Sequence, residues 1–145
     1  VDIVPASILV STAAIYTDWG TSRIAVEGNN LYKAKNWYSD EGLEPQSDDK
    51  DYRYKVYDSL EDSIRDYILR VNQNVNYRSF WYARQIAREN EQINGQPLYG
   101  RRTDWSFVLE NNLSNYAGLL DYTVTYYRMA YLDEAQLEDE YDIED

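Results

Sequence analysis

Ser59 is followed three residues on by Asp62, and the residues Leu60, Ile64, Tyr67, Ile68 and Val71 recur at helical steps. That spacing gathers five apolar side chains on one face of a helix, and the Ser/Asp pair resembles a capping box at its start. A helix with one apolar face must bury it against other elements, so a helical body is predicted around residues 60–71. A first helix is expected after Pro5, with Ile8, Thr12, Ile15 and Trp19 as its inward stripe and Gly20 as its stop. A short second one is expected from Thr21 or Ser22 to Glu27, ended by Gly28. Others are expected over Tyr77–Asn94 (stopped by Gly95 and Pro97), Trp105–Asn111 and Leu119–Leu132. In the last of these, Leu119, Thr123, Tyr126 or Tyr127, and Ala130 are the residues predicted to face inward.

Residues 29–57 break the helical period. They hold Trp37, Tyr38, the turn Gly42-Leu43-Glu44-Pro45, an acidic loop at Ser47–Asp51 and the alternating run Tyr52-Arg53-Tyr54-Lys55-Val56-Tyr57. Alternation of this kind predicts a hairpin or small strand-bearing lobe. The expected fold is therefore mostly α (α+β), a helical body with a small β-containing lobe inserted at about residues 29–57.

Composition narrows the chemistry. The 145 residues include no cysteine and no histidine. A disulfide framework, a zinc site of nitrogen or sulfur ligands, and a Ser-His or Cys-His nucleophile pair are all excluded. Acid-base work must come from Asp, Glu, Tyr or Lys, and no cofactor is implied. A net charge of -12 argues against capture of a nucleic-acid backbone. No apolar run approaches the ~18 residues that a membrane span needs. Eight of the 26 acids fall in residues 133–145 with no base among them. A domain over 1–132 and an acidic tail over 133–145 are expected, the tail as a solvated end or an interaction segment. The start at Val1 reads as a processed or excised chain.

The segment Ala13-Ala14-Ile15-Tyr16-Thr17-Asp18-Trp19-Gly20-Thr21-Ser22-Arg23, continued by Glu27-Gly28-Asn29-Asn30-Leu31-Tyr32, resembles the signature of Bax-like bacterial glucosaminidases. These are relatives of glycoside hydrolase family 73 and of the flagellar muramidase domain that cuts peptidoglycan. Gly42-Leu43-Glu44-Pro45 resembles a family turn, and Tyr57-Asp58-Ser59 with Ser63, Ile64 and Tyr67 resembles a family helix start. The resemblance implies a lysozyme-like helical body with an inserted lobe.

It also marks two departures. The family's general acid is a glutamate at the position of Tyr16, and the family's glycine after Tyr32 is Lys33 here. A glycosidase protonates a departing sugar oxygen with a carboxylic acid, whereas a phenol with an ordinary pKa of about 10 is a poor donor. Asp18 is a candidate substitute, as is Glu44 of the lobe together with Asp40 and Glu41. Two residues turn a helix by about 200°, so Asp18 faces away from Tyr16 unless the helix has unwound before Gly20. Glu27 is expected to hold the Asn29-Asn30 turn. Trp19, Asn30, Tyr32, Trp37, Tyr116 and Tyr122 are the candidate substrate-binding residues. Tyr52, Tyr54 and Tyr57 suit either a sugar platform or one side of a hairpin. Trp81, Trp105 and Phe107 are expected in the core, and Arg101-Arg102 in a solvated loop.

Three functions follow from these residues. The first is a glucosaminidase-fold domain impaired by loss of its acid, kept for binding peptidoglycan or another N-acetylglucosamine glycan, or for building an envelope or phage-virion assembly. The second is an active glucosaminidase with a relocated acid. The third is a protein scaffold whose cleft is filled. The expected place of work is the bacterial envelope, the periplasm or a virion.

Overall fold

The computed structural model describes residues 2–47, 50–94 and 116–133. Among them the elements run α1 (Ala6–Thr17), α2 (Arg23–Gly28), β1 (Lys35–Trp37), β2 (Tyr52–Tyr54), α3 (Leu60–Gln73), α4 (Arg78–Asn94) and α5 (Tyr116–Tyr126). Short 3-10 turns precede α4 and follow α5. The mostly helical body with a small sheet in the inserted segment is as the sequence predicts. The expected Trp105–Asn111 helix, with Gly95, Pro97, Arg101, Arg102 and Phe107, lies outside the described residues. So does the acidic tail beyond Asp133. None of the described helices is long and apolar enough to cross a membrane.

The core joins every part of the body. Val4, Ile8, Tyr32, Tyr67, Val71, Phe80 and Leu120 form one buried cluster, with Ile64, Ile68, Tyr77 and Trp81 packed around it. Tyr67 and Val71 come from the predicted stripe of α3, and Ser59 caps that helix by accepting the Asp62 amide at 3.1 Å. Leu60, expected inward, is exposed, because the first residue of α3 stands beyond the edge of the body. Trp81 anchors α4 by donating its indole N–H to the Val71 carbonyl.

In α1 the buried face is made of small polar residues: Ser7, Ser11, Thr12 and Thr17 around Ile8. Their size lets α5 and the final turn lie close against it. Pro5 offers no side chain to cap this helix. Asp133 does so instead, its carboxylate accepting both the amide and the hydroxyl of Ser7 at 2.7 Å. A negative group at a helix start is electrostatically favoured, so the first acid of the presumed tail is a working part of the body.

Two stripes need correction. α1 ends at Thr17, and Asp18, Trp19 and Gly20 all take left-handed backbone (φ 49°, 59° and 80°). Trp19 therefore leaves the helical register and is exposed, its ring edge-on to Tyr127 at 4.7 Å. Thr17 stabilises the turn by accepting the Gly20 amide at 2.8 Å. In α5 the buried residues are Leu120, Thr123 and Val124, while Leu119, Tyr126 and Tyr127 face solvent. Adjacent apolar pairs in this helix fit two faces equally, and the break at Arg128 (φ 54°) resets the register before buried Met129. Nothing is described of the Ala130 side chain.

Two asparagines hold the lobe to the body. Asn29, left-handed after α2, donates to the Tyr57 carbonyl at 2.9 Å. Asn30 is fully buried: its amide nitrogen donates to the carbonyls of Ala34 and Lys55, both at 2.9 Å. Its oxygen accepts the amides of Tyr32 and Ala34. β1 and β2 then pair antiparallel, with Asn36 opposite Arg53. Gly42 (φ +115°) lets Leu43 bridge to Tyr54, since a Cβ there would meet the Tyr54 carbonyl oxygen at 2.2 Å. Elsewhere, Asp2 ties the segment before α1 to α4 through Arg84, at 3.1 Å, and Arg88.

Candidate functional site

A groove separates the lobe from the body, and Tyr16 stands in it. Three hollows run along it. The inner one, about 740 Å³, lies between Tyr16, the Tyr32–Trp37 segment and α3. The middle one, about 510 Å³, lies between Tyr16, the start of α2 and Tyr52 and Tyr54. The outer one, about 380 Å³, is framed by Tyr38, Asp40, Glu44 and Asp51. Tyr16 and Lys33 line both the inner and the middle hollow. Pro45, Ser47 and Tyr52 line both the middle and the outer one. The hollows are thus consecutive stretches of one open groove.

Elements on both sides set its walls. The last full turn of α1 presents Ile15 and Tyr16. The turn held by Asn30 presents Tyr32, buried and stacked on Tyr67 with centroids 4.0 Å apart and planes 5° apart. The Tyr32 hydroxyl donates to the Leu9 carbonyl at 3.0 Å, so this ring is a fixed wall. Burial raises the pKa of the Tyr32 and Tyr77 phenols, keeping both neutral. Trp37 is exposed at the groove mouth, edge-on to Tyr52 at 5.1 Å. Tyr52 and Tyr54 share one face of β2, with rings 5.4 Å apart. Burial and the neighbouring Tyr52 push the Tyr54 phenol up to about 12. Flat aromatic faces with polar edges suit the faces of sugar rings.

The charges of the inner hollow are positive. Lys33, Lys35, Lys55 and Arg70 line it, and among the described residues no carboxylate does. Lys33 takes left-handed backbone (φ 51°) where the resemblance has glycine, and its ammonium lies 5.6 Å above the Tyr16 ring. The Lys35 ammonium lies 4.3 Å above the Tyr52 ring. Arg70 stacks on Tyr67 at 5.4 Å. Asp66, behind the wall, approaches Lys55 at 3.6 Å and Arg70 at 3.8 Å and accepts the Tyr57 hydroxyl. Hydrogen bonding to Asp66 adds to burial in keeping the Tyr57 phenol protonated.

The candidate residues fall into distinct places. Tyr16, Tyr32 and Trp37 meet in the groove. Glu44 lines only the outer hollow, exposed, and Arg53 donates to its carboxylate at 2.9 Å. Asp18 is exposed past the end of α1 and is not among the groove-lining residues. Asn30, expected to touch substrate, is instead a fully buried clip for the backbone. Glu27, expected to hold the Asn29-Asn30 turn, is exposed and pairs with Arg23 at 3.8 Å; the turn is held by Asn30 itself. Trp19 and Tyr122 lie on another surface, Tyr122 stacked on Tyr126 at 5.3 Å. The side chain of Tyr116 lies outside the described residues. Sequence reasoning missed the cation cluster. Its one available signal was local: Lys33 and Lys35 are two residues apart, and all four of the chain's lysines fall between 33 and 55.

Comparison with known proteins gives a family. The family described as Glucosaminidase, mannosyl-glycoprotein endo-beta-N-acetylglucosaminidase, matches residues 2–137. Protein bax of Escherichia coli strain K12 is 32% identical over 92 residues, covering 63% of this chain. The match spans 32% of that relative's length. No solved structure matches the chain.

Proposed function

Because the chain belongs to the glucosaminidase family, we propose that it holds glycan containing N-acetylglucosamine, peptidoglycan foremost, and cleaves it weakly or not at all. One observation carries this reading: Tyr16 stands at the mid-point of an open groove whose inner and middle hollows are lined by no carboxylate among the described residues. Cleavage of a glycosidic bond needs a carboxylic acid to protonate the leaving oxygen and a second carboxylate to meet the oxocarbenium ion or activate water. A phenol supplies neither at neutral pH. What remains is aromatic surface along a groove open enough for a sugar chain. The place of work is the bacterial envelope, or a phage particle that meets it.

A second reading, an enzyme with a relocated acid, is favoured by Glu44 and Asp40 facing the outer hollow together. Asp18 supports it less, because it lies beyond the groove. The filled-cleft scaffold finds no support in an open groove.

Clearing of purified peptidoglycan suspensions tests the proposal. The unmodified chain is expected to clear them barely above buffer, and Tyr16→Glu to raise the rate by about 10²-fold or more, the usual scale of a general acid. Strong clearing by the unmodified chain that Glu44→Gln or Asp18→Asn abolishes would overturn it.

A further inference from the structure

We infer that the inner hollow selects glycans that carry carboxylates, with Lys33 and Lys35 as the anion-binding groups. The inference rests on the glycan-binding reading above and adds the charge of the ligand. The chain as a whole is strongly acidic, at -12, yet this hollow gathers four cations and no acid among the described residues.

The four cations are not equally available. Lys55 and Arg70 share Asp66, which stands behind the wall and outside the lining. Lys33 and Lys35 have no carboxylate within ion-pair distance among the described residues; each rests on an aromatic ring instead. A ring face holds an ammonium in place and leaves its N–H donors free to meet an anion from the open side. Arg70, with its Nε 3.8 Å from Asp66 and its Nε and Nη2 buried, belongs to the wall and not to the groups open to a ligand. Lys33 keeps this position at the expense of a left-handed backbone, a conformation unfavourable for a residue with a side chain. Neutral sugar would give these two cations nothing to neutralise.

The test compares two tetrasaccharides of one β-1,4 backbone. One is the neutral N-acetylglucosamine tetramer; the other alternates N-acetylglucosamine with N-acetylmuramic acid whose lactyl carboxylates are free. Titration calorimetry at about 0.05 M salt is expected to show the acidic tetramer binding about tenfold tighter, with the gap closing near 1 M salt, where the Debye length is about 3 Å. In a Lys33→Asn, Lys35→Gln double variant the acidic tetramer is expected to fall to the neutral one's affinity, the neutral one staying put. Asn tolerates the left-handed backbone, and an unchanged melting temperature confirms the fold. Arg65→Gln, a cation exposed elsewhere on α3, is expected to change neither. Equal binding of the two tetramers, or a gap that survives in the double variant or in high salt, overturns the inference and leaves glycan binding standing. Binding of neither tetramer overturns both.

Discussion

The two ends of the groove differ in sign. At the inner end the lining holds Lys33, Lys35, Lys55 and Arg70 with no acid among the described residues. At the outer end Asp40, Glu44 and Asp51 are interspersed with Lys50 and Arg53. The inner end is walled by elements fixed in the core, since Tyr32 and Tyr67 are both buried there. The outer end is built from exposed loop residues and the start of β2, where Arg53 pairs with Glu44. An ion pair in exposed loops is worth little and selects little. Lys33 and Lys35 stand on a fixed wall with no such partner among the described residues, and a site held by the core is preorganised in a way that loops are not. The difference teaches that sign and rigidity change together along the groove.

Three substitutions separate the halves, the largest effect first. Asn30→Ala strips the lobe's clip and leaves several backbone groups buried without partners. A loss of about 3–4 kcal/mol is expected in urea unfolding, at about 1–3 kcal/mol for each such group with partial relaxation. Both ends of the groove should lose their form together; a variant unfolding within about 1 kcal/mol of the parent would show that the clip does not join them. Gly42→Ala acts on the outer end alone. Its Cβ would strike the Tyr54 carbonyl oxygen on a backbone suited to glycine, and about 2 kcal/mol is expected. Binding at the inner hollow should persist; its loss would mean that the two halves are mechanically one. The smallest effect lies outside the groove. Asp2 is held down near 2 from its ordinary 3.8, chiefly by the hydrogen bond from Arg88, with help from the Ile3 amide and Arg84 against the opposing effect of burial. A lowered folded pKa means stability that is present above about pH 4 and lost as the pH falls toward 2. With both partners partly exposed, about 1 kcal/mol is expected in that window, and Asp2→Asn should flatten it. Thermal melts from pH 5 down to 2 read this directly, and an unchanged slope in the variant would remove Asp2 from the account.

Local spacing carried much of the fold. The stripe of α3 and its Ser59 cap, the start of α1, the short α2 and the extent of the lobe were all legible, because each depends on near neighbours. Trp19 was misplaced because a left-handed residue at Asp18 ends α1 three residues before the expected glycine, and three successive positive φ values leave no trace in hydropathy. The α5 face was misread for another reason: Leu119-Leu120 and Thr123-Val124 offer two adjacent stripes, and only tertiary partners choose between them. The site was legible in part. Resemblance singled out Tyr16, and Tyr32 and Trp37 line the same hollow as it does. An asparagine's amide serves a sugar or a backbone equally well, so only burial assigns Asn30 to the backbone. The cations of the inner hollow come from β1, the turn before it, the lobe's return strand and α3. No linear reading brings those four together.

Asp133 reaches the amide of Ser7 across 126 positions of sequence. The helix α1 therefore waits for nearly the whole described chain before its own start is satisfied. Since that same helix carries Ile15 and Tyr16 into the groove, the binding surface is a late product of folding, assembled by one of the longest-range closures in the molecule. Closures of such long sequence separation are slow to form. A nascent chain lacking its last turn would present its aromatic residues on an unfinished scaffold, and competence to bind would coincide with completion of the fold.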